Sequence, residues 1–247
     1  MGVMYGVNPT WGAQTNEGRT HIATKGIVQS GLVLNLDAGV LSSYPGSGTT
    51  WTDLSGNGNT GTLTNGPTYS SANGGSVVFD GGDDYVELGN ILNIGTGQFT
   101  LEYYGRATAS TNNYTKIASK GAYANGGWTV MHGKTPSGTY IIGFTFGSGG
   151  TDTFLVVSDP VLVNTTYHAA VTRDASNIIR TYLNGSFRLS LTSTFDFTTN
   201  TYNYNIGRSG FGEYFTGNVY NWRHYNRALT AAEVTQNFNA LRGRYGL

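Results

Sequence analysis

The segment WTDLSGNGNTGTL, residues 51–63, contains a candidate metal-binding loop. Oxygen-bearing side chains recur at Asp53, Asn57 and Asn59, and Gly58 stands at position six, where an EF-hand calcium loop needs a glycine. The twelfth position is threonine instead of the bidentate glutamate, and one carboxylate gives a divalent ion little charge. A glycine-rich turn braced by its own Asn and Asp side chains is therefore favoured over a Ca²⁺ site.

Acidic residues also cluster in DGGDDYVE, at Asp80, Asp83, Asp84 and Glu87. The glycines indicate a loop that enters a strand, so solvated or capping carboxylates are favoured over a catalytic acid pair. The sequence has no GxSxG elbow, because GRSGF around Ser209 lacks the final glycine. No catalytic residue is predicted. Four histidines are scattered along the chain: His21, His132, His168 and His224, of which His168 is expected to lie in the core.

Glycan sites combine flat aromatic rings, which stack on sugar faces, with amide and backbone groups that bind hydroxyls. Aromatic residues in loop-like segments are therefore the glycan-binding candidates, although such residues more often serve packing or self-association. Trp51, Trp128 and Trp222 lie in strand-like surroundings and are predicted to be core residues. The glycan-binding candidates are Tyr123, Tyr202, Tyr204, Phe211 and Tyr214.

The composition is that of a β-rich protein with many tight turns. Of 247 residues, 37 are glycine and 17 tyrosine, and charged residues make up only 11%. The 14 basic residues balance the 14 acidic ones, so no basic field for nucleic acid or an anionic membrane is expected. There is no cysteine, which excludes thiol catalysis, zinc–thiolate sites and a disulfide scaffold.

Strand patterns recur from residue 31 onward. QFTLEYYGRA, residues 98–107, alternates Phe99, Leu101 and Tyr103 with polar positions, as a half-buried strand does. Asn184-Gly185 between two β-rich runs predicts a hairpin, since both turn residues need positive φ. About a dozen such strands predict a sandwich or barrel.

One helix is predicted, near the end of the chain. Thr230 and Glu233 have the spacing of a capping box, and Gly243 offers a C-terminal stop. An apolar stripe of Val234, Phe238 and Leu241 indicates the face that docks on the sandwich.

Residues 1–30 differ from the rest of the chain, since they have no clear periodicity and no basic, apolar start of a signal peptide. A disordered tail is one interpretation. An extended arm for attachment or oligomerisation is favoured, because a solvent tail would rarely carry large apolar side chains. The arm residues expected to pack are Met4, Tyr5, Trp11 and Ile22.

Six phrases in order resemble the laminin-G-like domains of the concanavalin A-like lectin/glucanase superfamily. They are GLVLNLDAG, WTDLSGNGNTGTL, VVFDGGDDYVEL, FTLEYYGRA, YHAAVTRDASNIIRTYLNGS and YFTGNVYNWRHYNRALTAAEV, and they span roughly residues 31–243. The resemblance implies an all-β fold: a two-sheet antiparallel jelly-roll sandwich with one short C-terminal helix. We therefore expect an N-terminal arm at residues 1–30 and a laminin-G-like domain at residues 31–247.

The opening GLVLNLDAG, the phrase SYPGSGTTWTDLSGNGNTGTL and the closing YNRALT are similar to laminin-G-like domains in structural proteins of tailed bacteriophages. This implies a non-enzymatic virion protein, a capsid decoration or fibre-type component, that displays a lectin-like domain. A dedicated glycan-binding adhesin is the alternative, and a polysaccharide hydrolase a further one. Glucanases of this fold carry ExDxE or ExDxxE along one strand, whereas Glu102 stands alone and is predicted to be structural.

The resemblance also implies partners and a location. Other virion proteins would bind through the arm, the protein would form a homo-oligomer, and cell-surface glycans would be ligands. Neither nucleic acid nor a membrane is expected as a partner, and the location would be the virion or the extracellular space, without a signal peptide. No cofactor is expected to be required. Relatives often bind calcium at loop edges, and Asp53, Asn57 and Asn59 match that position. Asn218 and Asn221 stand where many relatives carry aspartates, which weakens a calcium site here.

Overall fold

The computed structural model describes residues 26–108, 115–121, 125–135, 137–148, 151–156, 160–197 and 201–247. The predicted arm residues Met4, Tyr5, Trp11 and Ile22, and His21, lie outside these ranges. The described residues form sixteen strands and one α-helix. The strands are β1 (Leu32–Asp37), β2 (Thr50–Trp51), β3 (Gly61–Thr64), β4 (Thr68–Ser70), β5 (Ser76–Asp80), β6 (Tyr85–Gly89), β7 (Phe99–Ala107), β8 (Lys116–Lys120), β9 (Asn125–Lys134), β10 (Tyr140–Ser148), β11 (Thr151–Val156), β12 (Tyr167–Arg173), β13 (Ile178–Leu183), β14 (Ser186–Thr192), β15 (Tyr204–Ile206) and β16 (Thr216–Tyr225); the helix is α1 (Ala231–Leu241).

The strands form two antiparallel sheets that pack face to face, which confirms the predicted jelly-roll sandwich. Sheet A has the order β14-β13-β12-β7-β16-β5-β4, and β1 pairs with β16 beside β5. Sheet B has the order β11-β10-β9-β8-β15-β6-β3-β2. A single apolar core between them contains the three tryptophans predicted to be buried, Trp51, Trp128 and Trp222. No helix among the described residues has the length and apolar character needed to span a membrane.

Strand β7 is buried on both faces, whereas its sequence alternation predicted a half-buried strand. Phe99, Leu101 and Tyr103 point into the core between the sheets, as predicted. On the other face, Glu102 and Tyr104 are also fully buried. Helix α1 covers this outer face of sheet A. The contact is direct: the Tyr104 hydroxyl donates to the Phe238 carbonyl at 2.7 Å. Because the helix covers them, the polar positions of β7 are buried, whereas the alternation predicted that they face solvent.

Helix α1 begins with the predicted capping box. The Glu233 amide donates to Thr230 Oγ1, and the Thr230 amide donates to a Glu233 carboxylate oxygen. The α-helix ends at Leu241, and a 3₁₀ turn over Arg242–Arg244 follows it. Gly243 lies inside that turn, so the prediction that it stops the helix is wrong. The hairpin between β13 and β14 turns at Asn184-Gly185, both with positive φ, as predicted.

A network of charged side chains lies beneath α1. Glu102 and Arg223 are fully buried, with Arg223 Nη1 3.5 Å from Glu102 Oε1. His168 Nε2 lies 3.2 Å from the same oxygen. Asn237 of α1 donates to Glu102 Oε2 at 2.7 Å, although the apolar stripe of the helix gave no indication of a buried amide. Burial raises the pKa of Glu102, but its interactions with His168, Arg223 and Asn237 outweigh burial and lower the pKa overall.

The network extends to the C-terminal end of the chain. Arg223 Nη2 lies 3.7 Å from Asp37 Oδ2, and Arg244 donates to Asp37 Oδ1 at 2.6 Å. Glu102 is fully buried within this network, which agrees with the structural role predicted for it. His168 is buried as predicted: the Gly185 amide donates to its Nδ1, and its Nε2 faces Glu102 without a well-aligned hydrogen bond.

Two other histidines lie between the sheets. His132 and His224 are buried, and burial lowers the pKa of each to about 3. Both ring nitrogens of His132 and Nδ1 of His224 lack a hydrogen-bond partner in the described part of the chain. Both residues are consequently neutral at physiological pH and are packed among aromatic rings, with Tyr103 6.0 Å from His132.

Residues 26–30, the described part of the predicted arm, pack on the outer face of sheet A. Ile27 is buried against Tyr104 and Leu241. The Val28 amide donates to Asn237 Oδ1 at 2.9 Å, and Gln236 donates to the Gly26 carbonyl at 2.8 Å. These five residues thus contact the sandwich directly, whereas the attachment role of residues 1–30 stays a prediction.

Candidate functional site

The Asp53 loop is a hydrogen-bonded brace. Asp53 Oδ1 accepts from the amides of Asn35 at 2.8 Å and Ser55 at 2.9 Å. Its Oδ2 accepts from Ser55 Oγ at 2.7 Å and from the Asn59 amide at 3.0 Å. Asn57 and Asn59 do not turn toward the carboxylate; they donate to backbone carbonyls of residues 32 and 33. The geometry is that of a side-chain-braced turn that fastens the loop to β1, the interpretation favoured from the sequence.

Asp53→Asn is expected to lower the free energy of unfolding by about 2 kcal/mol, because an amide group would replace an oxygen that accepts two hydrogen bonds. Urea denaturation in calcium and in a chelator measures this loss, and we expect the same value in both. Asp196→Asn, which changes an exposed carboxylate outside both acidic loops, serves as the control. A loss seen only in calcium would identify Asp53 as a metal ligand instead.

Three carboxylates converge at the turn after β5. Oxygens of Asp80, Asp83 and Asp84 lie within 4.8 Å of one another, a spacing that a cation could bridge. Burial and the neighbouring carboxylates of Asp80 and Asp83 raise the pKa of Asp84 despite a hydrogen bond from the Asp80 amide. That bond, and one from the Gly82 amide to Asp80 Oδ1, give the cluster the capping role favoured from the sequence.

A cleft of about 410 Å³ opens beside β15, on the side of sheet B that faces away from sheet A. Tyr204 and Ile206 of β15 belong to the core, so Asn205 between them faces outward. The floor of the cleft is the end of β8 and β15, and the walls are the segments before and after β15. Its lining includes Tyr202, Asn203, Asn205, Arg208, Ser209 and Gly212.

One wall of the cleft is a tight hairpin over residues 208–214. Arg208 and Tyr214 pair across it, and Ser209 Oγ accepts from the Phe211 amide at 3.1 Å. Ser209 also donates to Glu213 Oε2 at 2.8 Å, and Lys116 Nζ lies 3.6 Å from that oxygen. Gly212 has positive φ and open space where a side chain would begin, so it closes the turn without filling the cleft.

The other wall is fastened to the sheet by a buried ammonium group. Lys120, 1% exposed, donates to the Tyr202 carbonyl at 2.8 Å and to Asn90 Oδ1 at 2.7 Å. Burial lowers the pKa of Lys120 to about 8, which leaves it mostly protonated at neutral pH. Asn203 donates to Glu87 Oε1, and Asn205 donates to the Asn203 carbonyl at 3.0 Å. Both walls are therefore held in place by side chains.

One of the five glycan candidates, Tyr202, lines this cleft and is 46% exposed. Phe211, 52% exposed, and Tyr214 belong to the hairpin that forms one wall, but their side chains are not part of the lining. Tyr204 is fully buried, and its hydroxyl accepts from Trp222 Nε1 at 2.5 Å, so this candidate is a core residue. Tyr123 lies outside the described residues.

Sequence reasoning missed the polar residues of the cleft. Arg208 and Ser209 appear there only within GRSGF, the incomplete nucleophile elbow, and Asn203 and Asn205 are not among the predicted site residues. The alternation of Asn with Tyr in YNYN, followed by a glycine-rich turn, is the pattern that could have indicated them. Arg208 is the most notable of these, because its guanidinium carbon stacks 3.7 Å from the centroid of the Tyr85 ring.

Solved structures share this fold at low sequence identity. Domain 4 of AbnA, a GH43 extracellular arabinanase from Geobacillus stearothermophilus solved with arabinotriose, has a TM-score of 0.64 and 17% identity over 83% of this chain and 97% of its own. The binding domain of botulinum neurotoxin serotype D has a TM-score of 0.66 and 13% identity over 86% of this chain and 52% of its own. Trypanosoma rangeli sialidase has a TM-score of 0.59 and 16% identity over 86% of this chain and 33% of its own.

A search of curated protein sequences finds no significant match. The family model Laminin_G_3, described as the concanavalin A-like lectin/glucanases superfamily, matches residues 80–235, more than half of the chain. The matched region includes strands from both sheets and the start of α1, up to residue 235. The sheet order, the core and this match together show that the chain belongs to the concanavalin A-like lectin/glucanases superfamily.

Proposed function

We propose that this chain is a non-enzymatic glycan-binding domain and that the cleft beside β15 is its sugar site. The observation that carries the proposal is the cleft itself, which has a volume of about 410 Å³ and walls fixed by side-chain hydrogen bonds. This volume falls within the roughly 300–1,000 Å³ usual for small-ligand sites. Fixed walls reduce the ordering cost that a weak ligand such as a sugar must overcome.

The lining has the chemistry that sugars need. The side chains of Asn203, Asn205, Arg208 and Ser209 supply hydrogen-bonding groups, and Tyr202 supplies a partly exposed ring that can stack on a sugar face. Glycines in the hairpin let a ligand approach the backbone closely. This combination of one flat apolar surface with several polar groups suits a hydroxyl-rich ring better than a purely apolar ligand.

A binding role is preferred to hydrolysis because the two carboxylates found beside the cleft among the described residues already bind side chains of the fold. Glu87 is bound by Asn203, and Glu213 is bound by Ser209 and faces Lys116. Glycoside hydrolysis needs one carboxyl group free to donate a proton and a second to act as nucleophile or base. Glu102 lies beneath α1 on the opposite side of the sandwich.

The proposed setting is the surface of a virion, as a decoration or fibre-type component or as a dedicated adhesin. This part of the proposal rests on the sequence resemblance to laminin-G-like domains of tailed-phage structural proteins. Residues 1–30 would attach the domain to other virion proteins and to further copies of the chain. Deletion of residues 1–25, followed by assembly with virions, examines this attachment separately from sugar binding.

The sugar-binding proposal predicts saturable binding to a subset of glycans on an array of bacterial surface and environmental polysaccharides. Tyr202→Ala and Asn205→Ala are each expected to weaken the best-bound glycan by about tenfold, since each removes a stacking surface or a hydrogen-bonding group. Phe187→Ala is the matched control, because Phe187 is a similarly exposed aromatic residue, 53% exposed, on β14 of sheet A.

Equal losses in the Phe187→Ala control and the cleft variants would contradict the cleft as the site, and absence of binding on the whole array would contradict the function. The array is read with and without a chelator, so that a calcium requirement is detected. Release of reducing ends from a bound polysaccharide would replace the binding role with hydrolysis.

A further inference from the structure

Arg208 gives the cleft a positive charge that no carboxylate neutralises within the described part of the chain. Most arginines near acidic side chains form ion pairs there: Arg180 with Asp174, Arg223 with Glu102 and Asp37, Arg227 with Glu233, and Arg244 with Asp37. Arg208 belongs to none of these pairs, and its guanidinium group instead stacks on the Tyr85 ring. Stacking fixes the plane of a guanidinium group and leaves its N–H edges available to a ligand.

The other charges beside the cleft leave this one in excess. Glu213 lies 3.6 Å from the ammonium of Lys116, so these two charges offset each other. Glu87 accepts from Asn203, and the Lys120 ammonium is directed at the Tyr202 carbonyl and at Asn90. Among the described residues that form or hold the cleft walls, two carboxylates therefore stand against three cations. A low-dielectric wall strengthens the attraction of such a cleft for an anion.

Asn205 adds an independent indication of a ligand. It lines the cleft, is 5% exposed, and uses its amide hydrogens on the Asn203 carbonyl. Its Oδ1 has no hydrogen-bond partner in the described part of the chain. A buried acceptor without a donor is unfavourable, and a hydroxyl group bound in the cleft would supply the missing donor.

We propose that the cleft selects negatively charged sugars, with Arg208 binding the anionic group and Oδ1 of Asn205 accepting from a neighbouring hydroxyl. The proposal rests on the proposed glycan-binding function and names the substrate class of the same site. A carboxylate fits the flat edge of a guanidinium group in a two-bond arrangement, and a sulfate ester meets the same chemistry. Carboxylated and sulfated sugars are therefore separate arms of one experiment.

The experiment compares matched ligand pairs by isothermal titration calorimetry on the full chain. The pairs are oligogalacturonate with its methyl ester, sialyllactose with lactose, and a sulfated galactan oligosaccharide with its desulfated form. Each pair differs in the charged group while keeping a common sugar portion. We expect at least one anionic member to bind 10- to 100-fold more tightly than its neutral partner, and added salt to reduce that difference.

Variants assign the difference to the arginine. Arg208→Gln is expected to abolish the preference for the anionic member, because it weakens that member far more than the neutral one, which loses only a neutral hydrogen-bonding contact. Arg208→Lys keeps the charge without the two-bond geometry and should retain part of the preference. Arg188→Gln, the same change at an exposed position on β14, is the matched control and should alter neither affinity.

The outcomes separate this inference from the function on which it rests. Binding of neutral and anionic members with equal affinity overturns the charge selection and leaves glycan binding intact. The same is true if Arg208→Gln weakens both members equally, because the arginine would then only support the wall through Tyr85. Absence of binding by every member and on the array overturns both. If Arg208→Gln does not fold, the ligand pairs measured on the unaltered chain decide the question.

Discussion

Glu102→Gln is expected to lower the free energy of unfolding by about 3 kcal/mol, although Glu102 is far from the cleft. The substitution leaves the fully buried Arg223 with Asp37 as its remaining carboxylate, 3.7 Å away. It also brings an amide group toward His168 and Asn237, which now face the carboxylate oxygens. Removing one partner of a buried ion pair costs about 3–5 kcal/mol, because the other charge stays desolvated.

A double-mutant cycle with Arg223→Met tests this explanation in urea. We expect the double variant to be less destabilised than the sum of the two single variants by about 1–3 kcal/mol, since each single change leaves an unmatched group that the other removes. Additive losses would mean that Glu102 and Arg223 contribute independently, for example through packing alone. Asp174→Asn, which alters a partly exposed ion pair with Arg180, should cost about 1 kcal/mol or less.

The protein is expected to lose stability on mild acidification because of two core histidines. Burial holds the pKa of His132 and of His224 at about 3, against 6.5 when the chain is unfolded. The unfolded chain therefore binds more protons between pH 6.5 and 3, and the folded state loses stability as the pH falls through this window. Both contributions are fully present above pH 6.5. Two such groups predict a loss of roughly 4 kcal/mol from pH 7 to pH 5.

Urea denaturation at pH 7, 6 and 5 measures this loss, and the range avoids most carboxylate titration. His132→Phe and His224→Phe are each expected to halve the dependence on pH, and the double variant should be nearly insensitive. Each variant serves as the control for the other. A slope unchanged in both variants would show that these histidines do not titrate with unfolding. His132→Phe is the variant to measure first, because neither ring nitrogen of His132 has a hydrogen-bond partner in the described part of the chain.

Sequence patterns predicted those parts of the fold that depend on neighbours along the chain. The capping box of Thr230 and Glu233, the Asn184-Gly185 hairpin and the braced turn at Asp53 are all decided by residues a few positions apart. The six phrases then predicted how these local elements assemble, because their order matches a known sandwich. Glu102 was correctly predicted to be structural, although its partners Arg223 and Asn237 lie more than 100 residues away.

The cleft could not be predicted in the same way. Strict alternation would place Tyr202 and Tyr204 on one face, but the chain bends at residue 202 and the pairing register shifts between Tyr204 and Asn205. One tyrosine is therefore exposed and the other is a core residue. The guanidinium group of Arg208 is positioned by the ring of Tyr85, which lies on another strand. Such contacts arise from the pairing of β15 with β6, and a three-residue strand carries little pattern to predict it.

The contact between α1 and residues 26–30 lies on the opposite side of the sandwich from the cleft. Gly26 is bound by Gln236 on the outer face of sheet A, whereas the cleft opens on the outer face of sheet B. A scaffold joined ahead of Gly26 would thus contact the sandwich on the side of sheet A and leave the cleft on sheet B facing solvent. Coupling the protein to a sensor surface through that end should leave the cleft open to ligands in solution.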